Sequence, residues 1–250
     1  MAEHPPNDGD PAAPPELTRP QIMRQRWREL AFLHWRVDPE RVAPLLPAGT
    51  RPDVHDGSSW VGLIPFRMVG AGPVRLPGVP WLGTFLETNV RLYSVDAQGR
   101  HGVVFRSLES QRLAVAVGAR AAFGTPYTWA RMRRTTHDGV HTYTSTRRWP
   151  GPRGARCRIV VRPGPHRVAH TALDDFLTAR WGLHSRLLGR TLWIPNTHER
   201  WPLHSAEVLH VDDALVAAAG LPGLADRPPD SVLWSPGVHA AFGLPTTVRP

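Results

Sequence analysis

Strand-like alternation of apolar and polar residues recurs along most of this chain, and it is broken at short intervals by glycine, proline and aspartate. Thr84 to Val95 and Gly102 to Leu108 alternate in this way and are joined by Asp96-Ala97-Gln98-Gly99, a hairpin-like connection that makes them an antiparallel pair. The segments 127–136 and 140–148 meet at Asp138-Gly139 in the same manner, and 155–162 follows. Earlier, Trp27 to Val37 predicts a strand ending at Asp38-Pro39, a helix cap followed by proline, with a short helix to Leu46; Trp60 to Met68 predicts a strand interrupted at Pro65. A loop is expected from Gly70 to Pro80. Further strands are expected near 183–188, 190–195, 205–211 and Ser231 to Trp234.

Helices are few in this pattern. Ser110 to Phe123, apolar with interspersed alanines, predicts a buried helix capped by Gly124; others are expected over 172–181 and from Asp212 as cap to Gly220. Many strands, a few intercalated helices and mostly hairpin connections define an α+β fold: one large, curled antiparallel sheet. No repeat of 20–50 residues is visible, which excludes solenoids and propellers.

With 250 residues, 41% of them apolar, the chain is long enough to bury one core, and a single domain is expected over 19–250. Residues 1–18 hold five prolines without apolar periodicity and are expected to form a disordered tail. Met1 to Pro15, acidic and proline-rich, lacks a basic n-region and an apolar h-region, and no run approaches the length needed to cross a bilayer, so a cytoplasmic protein without a membrane partner is expected. A single cysteine, Cys157, excludes an internal disulfide and suits a small apolar strand residue.

All thirty basic side chains are arginine; lysine is absent. No side chain can therefore form a Schiff base, anchor pyridoxal phosphate or serve as a lowered-pKa ammonium. The formal charge of +9 raises nucleic-acid binding, but the arginines are spread along the chain. Where they are densest, at Arg24, Arg26, Arg28 and Arg131, Arg133, Arg134, the spacing is that of an exposed strand face. Charge without clustering argues for solubility rather than a nucleic-acid partner.

The residues best placed for chemistry lie on one strand. Glu87, Asn89, Arg91 and Tyr93 share a face, while Leu86, Val90 and Leu92 share the other. The polar row is either an ordinary half-exposed strand or the wall of a cavity, where Glu87 would act as acid or base and Arg91 would bind a carboxylate. Arg106, Glu109 and Arg112 either extend this row or form a structural ion-pair lattice with it. Arg67 and Arg106 join Asn89 and Arg91 as candidate ligand contacts. Thirteen histidines include no helical i, i+4 pair with a glutamate, so no metal is expected. No Gly-x-Gly-x-x-Gly, Walker loop or Gly-x-Ser-x-Gly elbow is present, and no cofactor is expected.

Several short motifs in one order carry a resemblance: Arg26-Trp27, His34-Trp35 and Val37-Asp38-Pro39; Trp60-Val61-Gly62 with Pro65-Phe66-Arg67-Met68; Glu87-Thr88-Asn89-Val90-Arg91-Leu92-Tyr93; Gly102-Val103 with Ser107-Leu108-Glu109; Pro126-Tyr127; and Phe176-Leu177 with Arg180-Trp181. Together they resemble the uncharacterised YqjF-like bacterial proteins, from about Met23 to Pro245. That family in turn resembles acetoacetate decarboxylase, through Leu45-Leu46-Pro47-Ala48-Gly49 and Phe123-Gly124-Thr125-Pro126-Tyr127-Thr128. The resemblance implies a cone-like antiparallel barrel around a ligand cavity, with Glu87 at the position of a cavity glutamate. It also implies that Tyr127 and Thr128 stand where the decarboxylase keeps its Schiff-base lysine and a second lysine.

The expected function is binding of a small anionic or carbonyl-bearing molecule in the barrel, without Schiff-base chemistry. Two alternatives stay open. One is a lyase or hydrolase using Glu87 as acid or base, with Tyr127 stabilising an oxyanion; Tyr127 is equally able to be a buried phenol bonded to a backbone carbonyl. The other is an interaction protein acting through its arginine-rich surface. A homo-oligomer is compatible with the sequence.

Overall fold

The computed structural model describes residues 10, 12–18, 20–74, 78–79, 81–167 and 169–248. In chain order it contains β1 (Gln21–Val37), α1 (Pro39–Val42), β2 (Thr50–Pro52), β3 (Ser59–Pro73), β4 (Phe85–Asp96), β5 (His101–Ser110), α2 (Leu113–Phe123), β6 (Tyr127–His137), β7 (Val140–Trp149), β8 (Arg156–His166), α3 (Ala172–Thr178), β9 (Gly182–Leu187), β10 (Arg190–His198), β11 (His204–Asp213), α4 (Leu215–Ala218), β12 (Ser231–Gly243) and β13 (Thr246–Thr247). All thirteen strands belong to one curled sheet. No described helix is long and apolar enough to cross a membrane.

The sheet closes on itself twice. One ring runs β4-β5-β6-β7-β8-β11-β12-β1-β3 and returns to β4; the other runs β5-β9-β10-β12-β1-β3-β4 and returns to β5. The rings share β1, β3, β4, β5 and β12, so a shared strand is covered on both faces. Period-two geometry then divides its side chains between two interiors. On β1, Ala31, Leu33 and Trp35 enter a core with Val61, Leu63, Val90, Leu92, Tyr143 and Ile159, while Leu30 and Phe32 face the opposite way, toward Ile64, Phe66 and Phe85. The first interior is filled, with α4 residues Leu215 and Val216 plugging one side.

Antiparallel pairing dominates, as the hairpin signals predict, but β5 pairs in parallel with both β6 and β9. The β5-α2-β6 crossover explains the first of these. Gly124 ends α2 in the left-handed conformation, φ 64°, and its N–H closes on the Arg120 carbonyl. A Cβ there would meet the Arg186 carbonyl oxygen, so the turn that delivers Tyr127 to the sheet requires glycine.

Several elements depart from the sequence reading. β3 is not interrupted at Pro65: it pairs through that residue with Thr88 of β4. On its other side β1 carries one extra residue between Arg28 and Leu33, at a bulge where Glu29 has φ 55°, and proline's missing N–H falls in that break. β12 extends to Gly243 rather than ending at Trp234, because its far half pairs with β1 and β10. α4 spans only four residues, and Asp213 rather than Asp212 accepts the Val216 N–H. α2 is not a buried helix, since Ala116 is its one buried residue. Of the tail expected over residues 1–18, residues 1–9 and 11 lie outside the described residues, and among the described ones Ala12 is buried. Cys157 is a buried, free thiol on β8.

Candidate functional site

The second ring encloses a cavity of about 410 Å³. Strands β1, β3 and β4 supply about half of its wall, with Trp27, Phe32, Phe66, Phe85 and Trp201 among its aromatic surfaces; the Ala114, Val115, Gly118 and Ala119 side of α2 covers another part. The size and the largely apolar lining, with few polar groups converging on it, suit a small organic molecule. Glu87, Asn89, Arg91 and Tyr127 all line this space. Their order follows from β4: the face carrying Val90 and Leu92 is committed to the filled ring, so the alternate residues project into the hollow one.

Glu87 is 3% exposed and has no ion-pair partner among the described residues. Burial raises its carboxyl from the ordinary 4.5 to about 8, against the opposing effects of hydrogen bonds from Tyr127 and Asn89. At neutral pH it therefore holds its proton. The Tyr127 hydroxyl donates to Glu87 Oε2 at 2.9 Å. Burial, reinforced by the adjacent carboxyl, drives the phenol well above its usual range. Tyr127 thus bonds a side chain rather than a backbone carbonyl. Asn89 is buried, and its Oδ1 has no partner among the described residues.

Arg91 extends the row. Its Nε donates to the Tyr93 hydroxyl at 3.1 Å and its Nη2 to the Leu177 carbonyl at 2.7 Å, while Tyr93 donates to that same carbonyl at 3.0 Å. His34 Nε2 lies 2.7 Å from the Tyr93 oxygen. With the hydroxyl proton committed to Leu177, His34 must carry its proton on Nε2 and donate. Burial, then the charge of Arg91, pushes the His34 pKa well down, so the ring is neutral.

Two candidates lie elsewhere. Arg67 is exposed, because the alternation of β3 turns Phe66 and Met68 into the cavity and Arg67 away from it. Arg106 donates from Nε to the Ala219 carbonyl and from Nη1 to the Leu45 carbonyl, both at 3.1 Å, tying β5 to the segments around α1 and α4. The expected charge lattice also divides: Glu109 pairs with Arg147, and Arg112 sits over the Trp81 ring at 3.8 Å. Thr128 is buried outside the cavity lining, and its hydroxyl has no partner among the described residues. Sequence reasoning did not single out His34, Gln25, Trp27 or Trp201 as site residues. Trp27 and Gln25 share the inward parity of the first half of β1, a signal visible in the strand but reversed beyond Glu29 by the bulge. Among the described residues no group of three or more histidine, cysteine or carboxylate side chains is arranged to hold a metal ion.

Solved structures of acetoacetate decarboxylase-like proteins share this fold. The Legionella pneumophila acetoacetate decarboxylase superposes with a TM-score of 0.66 at 14% identity, over 94% of this chain and 90% of that one. The enduracididine biosynthesis enzyme MppR, in complex with pyruvate, superposes with a TM-score of 0.60 at 13% identity, over 93% and 92% of the two chains. An acetoacetate decarboxylase-like enzyme from Sphingomonas wittichii gives 0.61 at 14% identity, over 92% and 94%. At these identities the likeness establishes the fold.

Within that fold, the chain belongs to the DUF2071 family of uncharacterized conserved proteins, whose model matches residues 24–239. The uncharacterized protein YqjF of Bacillus subtilis is 30% identical over 188 residues, covering 74% of this chain and 76% of that protein.

Proposed function

We propose that this protein binds a small carbonyl-bearing or anionic organic molecule in the cavity of the second ring, contacted by Glu87, Asn89, Arg91 and Tyr127, without Schiff-base chemistry. The observation that carries the reading is the Glu87–Tyr127 pair: a carboxylic acid raised to about 8 and a phenol, 2.9 Å apart in a largely apolar cavity. Such a pair presents neutral hydrogen-bonding groups to a ligand oxygen where water competes little. The relatives of similar fold include an enzyme bound to pyruvate, a small keto acid, which supports the ligand class. The absence of any lysine supports the exclusion of an iminium mechanism.

A catalytic version is favoured by one specific observation. A carboxyl that titrates near 8 is poised to give and take a proton at neutral pH, as a general acid-base residue must. In that version Glu87 would move the proton and Tyr127 would stabilise an enolate or oxyanion, in a lyase or hydrolase reaction.

Native mass spectrometry and a thermal-shift screen with small keto acids and hydroxy acids test the binding reading. A retained ligand or a saturable rise in Tm, lost when Leu108→Trp fills the cavity, supports it. No shift with any compound, or shifts unaffected by Leu108→Trp, contradicts it. Metabolite profiling with wild type and Glu87→Gln separates the two versions: a product lost in the variant indicates catalysis, and a thermal shift without turnover indicates binding.

A further inference from the structure

Glu87 and Arg91 stand on the same face of β4, four residues apart, which is about 13 Å along an extended strand. The Arg91 side chain leans away from Glu87, because its Nε and Nη2 are held by Tyr93 and the Leu177 carbonyl. No carboxylate lies within ion-pair distance of this guanidinium among the described residues, and its Nη1 makes no hydrogen bond there. The buried arginines behave differently: Arg147 is paired with Glu109 and Arg180 with Asp53. Arg91 is half-buried in the cavity wall, and a guanidinium there without a counter-ion offers an anionic ligand group a charge-assisted partner.

The surroundings hold Arg91 in that position. A Cβ at Gly62 would lie 3.0 Å from His34 Nε2 and 3.2 Å from Arg91 Cγ, so glycine is what allows the arginine stem and the imidazole to pack side by side. Its guanidinium also lies 5.8 Å from the Phe32 ring centroid, over that face. Between the two ends, Asn89 Oδ1 is an unused acceptor. The polar row therefore has a cation at one end and the hydrogen-bonded Glu87–Tyr127 pair at the other, within an otherwise largely apolar lining.

We propose that the ligand is elongated and two-ended: a carboxylate bound by Arg91, a neutral hydroxyl or carbonyl oxygen bound by Glu87 and Tyr127, and an apolar body spanning the space between them. This rests on the reading that the cavity is a ligand site. It goes beyond that reading by disfavouring short β-keto acids, whose two polar groups are separated by a single carbon and cannot reach both ends.

Isothermal titration with four probes at pH 7 tests it: 8-hydroxyoctanoate, octanoate, 1-octanol and acetoacetate. Binding is expected to be tightest for 8-hydroxyoctanoate. Octanoate should bind about tenfold or more tightly than 1-octanol, the size of one charge-assisted contact. Arg91→Met should remove that preference and leave 1-octanol within about twofold of its wild-type affinity. Acetoacetate should bind at least about tenfold more weakly than 8-hydroxyoctanoate. Equal wild-type affinities for octanoate and 1-octanol overturn the proposal while leaving the cavity reading intact; acetoacetate as the tightest ligand does the same. Failure of all four probes to bind overturns both. Should Arg91→Met not fold, the wild-type ratio of octanoate to 1-octanol decides alone.

Discussion

Two buried glutamates sit on neighbouring strands and face opposite interiors. Glu109 of β5 turns toward the filled ring, where Arg147 of β7 donates to it from Nε at 3.0 Å and again from Nη2. Glu87 of β4 turns toward the hollow ring and meets a phenol and an amide instead of a cation. Both are within 3% of complete burial. The same residue type at nearly the same depth is a structural ion pair in one interior and a neutral acid in the other. What decides between them is the charge supplied from across each ring. A buried acid left without a cation is a departure from core construction, and such departures concentrate where a protein binds or reacts.

The largest effect expected from this contrast is on the filled side. Arg147→Met strands Glu109 in the core, and unfolding in urea should show a loss of about 3–5 kcal/mol. A loss below about 1 kcal/mol would mean that Glu109 is as tolerant of solitude as Glu87.

Next is Glu87→Gln, whose effect has the opposite sign and depends on pH. The folded protein keeps the Glu87 proton up to about 8, whereas the unfolded chain releases it near 4.5. The native state thus binds more protons across this window, and wild-type stability falls as pH rises through it. Glutamine does not titrate, so between about pH 4.5 and pH 8 the variant should gain on wild type by up to about 1.4 kcal/mol for each pH unit crossed. Melting curves taken at intervals across that range check this; a constant difference would contradict it.

Tyr127→Phe removes a neutral hydrogen bond and should cost about 1 kcal/mol. Because the phenol is one of the groups holding the Glu87 carboxyl down, its removal should raise the Glu87 titration further, read by the same pH series. Smallest of all is Arg67→Gln. That side chain is exposed on the outer face of β3, so stability should stay within about 0.5 kcal/mol and binding of octanoate should be unchanged.

The inward row of β4 is legible in the sequence because alternation is local: once Val90 and Leu92 are assigned to one face, Glu87, Asn89 and Arg91 must share the other. Tyr127 is legible only through the resemblance around Gly124-Thr125-Pro126, since nothing within its own strand marks it. The Arg147 partner of Glu109 lies 38 residues away and depends on how β5, β6 and β7 associate, which no local pattern encodes. Arg106 shows the same limit, as its two carbonyl partners belong to segments 61 and 113 residues distant. The full lengths of β1 and β12 are hidden by the Glu29 bulge, which reverses which residues face inward, and by pairings between distant parts of the chain. Lysine's absence excludes a mechanism, but only the structure shows that the cavity wall presents an acid, a phenol and an arginine without an ion pair among the described residues.

Nuclear magnetic resonance of the Glu87 side-chain carboxyl, labelled with carbon-13 and titrated in the folded protein, bears most directly on the difference between the two interiors. Assigned by comparison with Glu87→Gln, the resonance should titrate at about 8. A midpoint near the ordinary 4.5 would show that Glu87 is ionised at neutral pH, and would contradict the neutral acid on which the cavity's proposed role rests.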